Sequence, residues 1–272
     1  MPELPEVETI KNTLKHEIIG KKIESVEVFY PKIITGDKNQ FIEALTHQTF
    51  RDIDRIGKYI IFKLDHIAFI SHLRMEGKYF IVSQDEPYNQ HCHVIFHLEN
   101  QLDLRYYDTR KFGRMELTDL NQYANLKPFN TLGKEPFDID CKWLYQQFQK
   151  SKRPIKDVLL DQHIILGIGN IYANEICFRM KINPLTPVNR LKLKRVKELV
   201  EIAIDVLNDA IKQGGTTIHT FSANGIDGRF QVKLNVHGKV NQPCPICHTP
   251  IEKIQLQGRG TYFCKKCQRK KS

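Results

Sequence analysis

Four cysteines near the C-terminus constrain this chain more than any other feature. They fall as Cys244-Pro-Ile-Cys247 and Cys264-Lys-Lys-Cys267, with sixteen residues between the pairs. Each C-x2-C turn brings two sulfurs to one side of a tight bend, and two such turns close a tetrahedron around a metal. The alternative, a pair of disulfides, belongs to secreted chains, and the opening MPELPEVETI lacks the basic-then-apolar order of a signal peptide. The spacing therefore points to one structural zinc ion held by Cys244, Cys247, Cys264 and Cys267, with no open position for chemistry. Between the pairs, Gly258 and Gly260 flank Arg259, which predicts a β-hairpin over 251–261 with Arg259 near its tip. Cys92, Cys141 and Cys177 follow no ligand pattern and read as buried apolar thiols. His91-x-His93 has no partner cluster and reads as structural or phosphate-contacting.

Charge adds a second constraint. The 272 residues include 41 Lys+Arg against 31 Asp+Glu, a net charge of +10. From 231 to 272 there are nine basic residues and one acid, Glu252, so this tail holds +8 of the total. An electrostatic footprint for a polyanion and a solubilising tail both fit that bias. At 41% hydrophobic residues the chain reads as globular. No apolar run approaches the roughly 18–20 residues of a membrane span. A soluble, cytosolic, basic protein is the expectation.

The length suits two domains, and the periodicity changes along it. Val7, Ile10, Leu14 and Ile18 give helical spacing over 7–19. Short β-rich runs follow at 23–30, 49–56, 59–64, 67–71, 78–83, 93–98, 101–107 and 113–117, divided by turn signals such as Gly36-Asp37 and Glu99-Asn100. Many short strands at this spacing predict an antiparallel sandwich or barrel. Pro128, Gly133 and Pro136 mark 125–138 as a hinge. Beyond it, 140–150, 155–162, 170–178 and 191–213 read as helices, then comes the metal hairpin. The fold class is α+β.

Two constellations carry chemistry. If Met1 is removed, Pro2 presents a secondary amine beside Glu3 and Glu6. An α-amine titrates near pH 8, so part of it is a free nucleophile at neutral pH, able to form a Schiff base with an aldehyde-like sugar carbon. The carboxylates could then move protons. Proline and acids at a helix start explain the same residues by capping alone. The second constellation is Gly167-Ile-Gly169-Asn170 between two predicted helices. Glycines admit a phosphate close to the backbone, and Asn170 could cap the helix or donate to that phosphate. A plain helix–helix turn fits nearly as well.

MPELPEVET at the start, Gly167–Glu175 (GIGNIYANE) in the middle and Gly258-Arg-Gly-Thr261 with Cys264-x2-Cys267-Gln268 at the end together resemble the formamidopyrimidine-DNA glycosylase family, from Met1 to Gln268. Leu4 separates the chain from the sister endonuclease VIII branch, which usually begins Pro-Glu-Gly. The resemblance implies an N-terminal antiparallel β-sandwich with an N-terminal helix, and a C-terminal helix-two-turns-helix domain ending in a zinc β-ribbon. The implied division is a catalytic sandwich at 1–130, a hinge and first helix at 131–151, the helical DNA-binding domain at 152–231 and the zinc finger at 232–272. The implied activity is base-excision repair of 8-oxoguanine and ring-opened purines, with β,δ-elimination at the abasic site. Damaged duplex DNA, bound in a cleft between domains, is the implied partner of a monomer in the bacterial cytoplasm, associated with the nucleoid.

The same resemblance assigns residues. Pro2 is similar to the family nucleophile, Glu3 to its general acid/base and Glu6 to a supporting carboxylate. Lys58 matches a lysine of phosphate binding and proton transfer, and Arg259 a residue that contacts phosphates and assists δ-elimination. His72-Leu-Arg-Met75 and Asp108-Thr-Arg-Lys-Phe112 resemble the loops that fill the space of a flipped nucleotide. There Met75 and Phe112 act as wedges and Arg110 pairs with the orphaned cytosine. His72, His91, Arg153, Lys156 and Asn170 complete the implied DNA contacts, and 216–230 resembles a lid over the flipped base. Four positions depart from the pattern: Arg74 where Gly is frequent, Cys92 where Asp is, Thr109 where Pro is, and His237 where a phosphate-contacting Tyr is usual. The rivals are an endonuclease VIII-like activity on oxidised pyrimidines and a non-catalytic zinc-ribbon protein that binds nucleic acid.

Overall fold

A computed structural model describes residues 2–215 and 234–269. The expectations for Met1 and for a lid over 216–230 lie outside the described residues. The chain forms two compact units: residues 2–130 with 214–215, and residues 131–213 with 234–269.

The first unit begins with α1 (Leu4–Ile18), whose Leu4, Val7, Ile10, Leu14 and Ile18 form one buried stripe. Nine strands follow: β1 (Ile23–Val28), β2 (Ile34–Thr35), β3 (Asp52–Ile56), β4 (Tyr59–Lys63), β5 (Ala68–His72), β6 (Lys78–Ser83), β7 (Cys92–Leu98), β8 (Leu102–Tyr107) and β9 (Arg114–Thr118). They make a four-stranded sheet, β1-β7-β8-β6, and a five-stranded sheet, β2-β9-β5-β4-β3. All pairings are antiparallel except the two-residue β2, which runs parallel to β9.

A single apolar core joins the sheets. Phe62 and Phe69 of the five-stranded sheet stack at 4.5 Å, and Phe69 stacks on Phe96 of the four-stranded sheet at 5.5 Å. Within this core the Tyr79 hydroxyl of one sheet donates to Ser71 Oγ of the other at 2.8 Å. The sequence reading missed α2 (Lys38–Leu45), which contributes Phe41 and Leu45 to the same core. Gly36-Asp37 reads as a turn, but the Asp37 side chain accepts from Gln40 N at 2.8 Å and starts a helix instead. An Asx turn and a helix N-cap use the same carboxylate chemistry.

The second unit holds α3 (Cys141–Gln149), α4 (Ile155–Leu159), α5 (Asn170–Arg179), α6 (Leu193–Lys212) and a hairpin of β10 (Glu252–Leu256) and β11 (Arg259–Phe263). The long α6 buries Val196, Leu199, Val200, Ala203, Val206, Leu207 and Ala210 along one face. Helix α4 stops three residues earlier than its apolar pattern suggests. Asp161 Oδ1 takes His163 N at 3.0 Å. The Gln162 amide reaches Leu160 O and Ile168 O, and its oxygen takes Gly167 N. These bonds close two consecutive turns between α4 and α5, so Gln162 organises the connection rather than extending the helix. No helix among the described residues is long and apolar enough to cross a membrane.

The inter-sheet hydroxyl pair is a test of this packing. Tyr79→Phe leaves Ser71 Oγ buried without its donor, so the free energy of unfolding should fall by about 1–3 kcal/mol. Denaturant unfolding followed by far-UV circular dichroism measures it.

Candidate functional site

The N-terminal corner is built on two buried carboxylates. Glu3 and Glu6 are only 2% and 3% exposed. They form a capping box at the start of α1, in which Glu6 Oε2 accepts from Glu3 N at 2.8 Å. Pro2, half-buried, immediately precedes this box. Gly215, at φ +79°, packs over Glu6, where a Cβ would lie 2.9 Å from Oε1. Lys58 sits in the two-residue turn between β3 and β4, with Gly57 at φ +59°. Arg55 fastens that turn to α1: its Nε donates to Glu8 Oε2 at 2.7 Å and its Nη1 to Gly57 O at 2.9 Å. Lys58 is buried. Burial, with the charges of Arg74 and Lys58, pushes His72 down to about 3, so its imidazole is neutral at physiological pH.

Two neighbouring loops meet on one hydroxyl. The first runs from His72 to Gly77, and His72 Nδ1 accepts from Arg74 N at 3.0 Å. Arg74 has φ +54°, the left-handed region where a side chain is strained. Met75 follows, 39% exposed. The second loop, Asp108 to Gly113, is wound around the buried Asp108. That carboxylate accepts from Arg110 N at 3.0 Å and Gly113 N at 2.7 Å. Phe112 is 48% exposed, and the Arg110 guanidinium lies over its ring at 4.8 Å.

A Cβ at Gly77 or at Gly113 would collide with the buried Tyr106 hydroxyl, so both loops close on the same atom. Thr109 Oγ1 donates to Glu76 Oε2 and joins the loops directly. Thr109 thus anchors this loop by a hydrogen bond. Sequence reading missed Tyr106 and the two glycines and gave Asp108 no role of its own, because these roles exist only once the loops are adjacent. His91 is half-buried with Nδ1 unpartnered among the described residues, and His93 Nε2 bonds Asp108 O at 2.8 Å. Cys92 is buried and its thiol is pushed up to about 11 by that burial, as is Cys177 to about 12. Cys141 is only half-buried, at the first position of α3.

In the second unit, the GIGNIYANE segment clasps the hairpin. Asn170 is the first residue of α5 and not its cap, a position taken by the extended Gly169. Its Nδ2 donates to Gly260 O at 3.2 Å. Lys156, which reads from sequence as a solvated charge when taken alone, is fully buried. Its Nζ donates to Gly260 O at 2.9 Å and Thr261 Oγ1 at 2.7 Å. Arg259 is exposed next to this anchor, directly after the two-residue turn Gln257-Gly258. Both turn residues have positive φ, which suits a tight hairpin.

The buried Glu175 carboxylate accepts from the backbone N–H groups of Asn235, Val236 and His237 and from Asn235 Nδ2, all at 2.9–3.0 Å. Tyr262 N donates to Asn174 Oδ1, which turns the Asn174 amide NH toward His237 Nδ1 at 2.7 Å. Burial pushes His237 down to about 4. As a neutral ring accepting at Nδ1, it carries its proton on Nε2. Arg153, by contrast, pairs with Asp157 and Asp161 at 2.7 Å and joins none of these contacts.

The four cysteine sulfurs lie within 4.8 Å of one another, and among the described residues they are the one cluster able to hold a metal. Sγ separations of 3.4 Å (Cys247–Cys264) and 3.9 Å (Cys244–Cys267) bracket the roughly 3.8 Å edge of a zinc–thiolate tetrahedron with bonds of about 2.3 Å. Gln268 locks the second knuckle to the connection that follows α5: its Oε1 takes Cys264 N at 2.8 Å and its Nε2 reaches Ile182 O at 3.0 Å. The donor set is closed, so the zinc is structural.

A sandwich with a carboxylate-lined N-terminus, followed by a helical unit that grips a zinc hairpin, defines a class of DNA glycosylase. The comparisons agree with that class along the chain. Residues 1–115 match the formamidopyrimidine-DNA glycosylase N-terminal domain, 132–222 the H2TH domain of the same enzymes, and 241–269 the zinc finger found in FPG and IleRS. A formamidopyrimidine-DNA glycosylase of Lactiplantibacillus plantarum is 46% identical over 268 residues, covering 97% of this chain and 98% of its own. Another from Lactobacillus helveticus is 44% identical, covering 98% and 99%. A Lactococcus lactis Fpg solved with an abasic site containing DNA superposes with a TM-score of 0.94 at 40% identity, covering 99% of this chain and 100% of its own. The chain belongs to the formamidopyrimidine-DNA glycosylase family.

Two outcomes follow from this geometry. Chelation should release one zinc ion per chain and open four thiols to a thiol reagent, read by metal analysis and thiol titration; Cys247→Ser should lower the zinc content in the same assay. Arg74→Gly should raise the free energy of unfolding by up to about 1 kcal/mol, because glycine takes φ +54° without a Cβ clash. A higher denaturant midpoint at unchanged slope is the readout.

Proposed function

We propose that this protein is a DNA glycosylase and AP lyase that removes oxidised purines, 8-oxoguanine and formamidopyrimidines, from duplex DNA. The observation that carries the reading is the pair of buried carboxylates, Glu3 and Glu6, fixed beside Pro2 at the start of α1 in a member of this family. The relatives and structures it matches support the substrate class: the relatives' names specify formamidopyrimidine, and one Lactococcus lactis structure holds a N7-Benzyl-Fapy-dG containing DNA.

In this mechanism loss of Met1 frees the Pro2 amine, whose lone pair attacks C1′ of the damaged nucleotide. The N-glycosidic bond breaks, its electron pair leaves on the base, and the base takes a proton. Opening of the sugar gives an iminium between Pro2 N and C1′, with Glu3 moving the proton at the ring oxygen. Loss of a 2′ proton then expels the 3′ phosphate, and a second elimination expels the 5′ phosphate, leaving a gap with a phosphate at each end. Glu6 acts through Glu3, whose backbone N–H it holds. Lys58 and Arg259 serve phosphate binding and the proton transfers of elimination. Lys156 and Asn170 work beneath Arg259, by fixing Gly260.

Extrusion of the nucleotide costs a few kcal/mol of lost stacking. Met75 and Phe112, apolar yet exposed, are suited to fill the vacated space, with Arg110 pairing the orphaned base. His72 supports the first of these loops, while His91 and Arg153 are assigned to phosphates. In this reading the catalytic domain is assigned to 1–130, the hinge and first helix to 131–151, the DNA-binding domain to 152–231 and the zinc finger to 232–272. A monomer suffices for a single lesion site, and the bacterial cytoplasm, in association with the nucleoid through its DNA, is the location that fits this reading.

Borohydride should trap a covalent complex between the protein and an 8-oxoguanine duplex, with the adduct on Pro2 by peptide mass. Pro2→Gly should weaken the trap and Glu3→Gln should abolish base release. Absence of any adduct on an abasic duplex would sink the proposal, and faster excision of thymine glycol than of 8-oxoguanine would move it to the pyrimidine-directed branch.

A further inference from the structure

Behind the first loop lies a cavity of about 250 Å³ that the mechanism does not use. Its lining includes Tyr59, His72, Arg74, Arg114, Glu116 and Lys127. Three cations thus face one carboxylate, Glu116, and His72 is neutral. Among the described residues none of the three cations takes part in an ion pair. Arg114 is steadied from behind, its Nη1 donating to Gly113 O at 2.6 Å.

Arg74 gives the second, independent indication. Its backbone holds the left-handed conformation at φ +54°, which glycine would occupy without strain. That conformation turns the Arg74 side chain into the cavity lining, beside Tyr59 and His72. With Glu116 offsetting only one of the three, the lining keeps a net positive charge that attracts an anion.

We propose that Arg74, Arg114 and Lys127 form a phosphate subsite, and that its ligand is a backbone phosphate of the DNA strand lying against the loops at 72–77 and 108–113. Arg74 immediately precedes Met75 and Arg114 follows Phe112 by two residues, so the subsite continues the surface assigned above to DNA. Two arginines supply planar donors for phosphate oxygens, and the lysine supplies a point charge. The inference rests on the proposed function for the identity of the strand. The cavity and its charges do not depend on it.

The test is the salt dependence of binding to a duplex carrying a tetrahydrofuran abasic analogue, for wild type, Arg74→Gly and Lys127→Ala. A lost phosphate contact should flatten the slope of log K against log salt by up to about 1 and weaken binding at physiological salt on the order of tenfold. Lys127→Ala leaves the backbone of the first loop untouched and so separates lost charge from altered loop shape. Inorganic phosphate titrated against DNA-free protein distinguishes the source. A rise in Tm for wild type and none for Arg74→Gly supports the site with free phosphate as ligand, whereas a changed DNA slope without any rise supports the DNA phosphate. Slopes and affinities equal to wild type in both variants, with no phosphate effect on Tm, overturn the proposal. Borohydride trapping by wild type is run in parallel. Failure to trap with the Arg74-dependent slope intact removes the glycosylase reading and leaves the subsite standing.

Discussion

A carboxylate withdrawn from water destabilises a fold unless donors surround it, and three such groups organise the segments on which this protein depends. Glu6 takes the backbone N–H of Glu3 and fixes the first residues of the chain. Asp108 takes the N–H groups of Arg110 and Gly113 and winds a loop that presents Arg110 and Phe112. Glu175 takes four donors from residues 235–237 and binds the approach to the zinc hairpin onto α5. In each case the donors are mostly backbone, so the acid sets the path of the chain rather than pairing with another side chain. Deleting Asp108 or Glu175 strands several buried N–H groups at once.

The zinc hairpin is held by the same logic with the opposite sign. The Lys156 ammonium is buried and satisfied by Gly260 O and Thr261 Oγ1, while Asn170 reaches the same carbonyl. Gln268 links a cysteine backbone to Ile182. The metal shapes the knuckles, and these polar ties fix where the hairpin stands on its helices. Arg259 therefore owes its position to the zinc and to the middle of the chain together.

Much of this was legible from residues alone. Eight of the strands begin within a few residues of their apolar runs, since alternation is a local signal. The four-thiolate centre follows from spacing, and the three quoted motifs identify the family. What escaped the sequence is what depends on neighbours distant in the chain. Helix α2 hides behind Asp37, because an acid after glycine serves a turn or a cap equally well. Helix α4 ends early because Gln162 finds partners at Ile168 and Gly167 that a periodicity count ignores. Lys156 is a surface charge in any window of sequence and a buried tether in the fold. Arg74 is a departure whose cavity, with Arg114 and Lys127, is assembled from three separate stretches.

The Tyr106 hydroxyl lodged between Gly77 and Gly113 has a consequence for how such a protein changes over generations. A methyl group added at either glycine meets the same oxygen, so the two loops are inherited as one object. Loss of the hydroxyl, as in Tyr106→Phe, would relieve only part of this: a methyl at 77 would still meet Leu73 O at 2.7 Å, and one at 113 the ring carbon Cζ at 2.9 Å. Each glycine is thus fixed by its own surroundings as well as by the oxygen the two loops share.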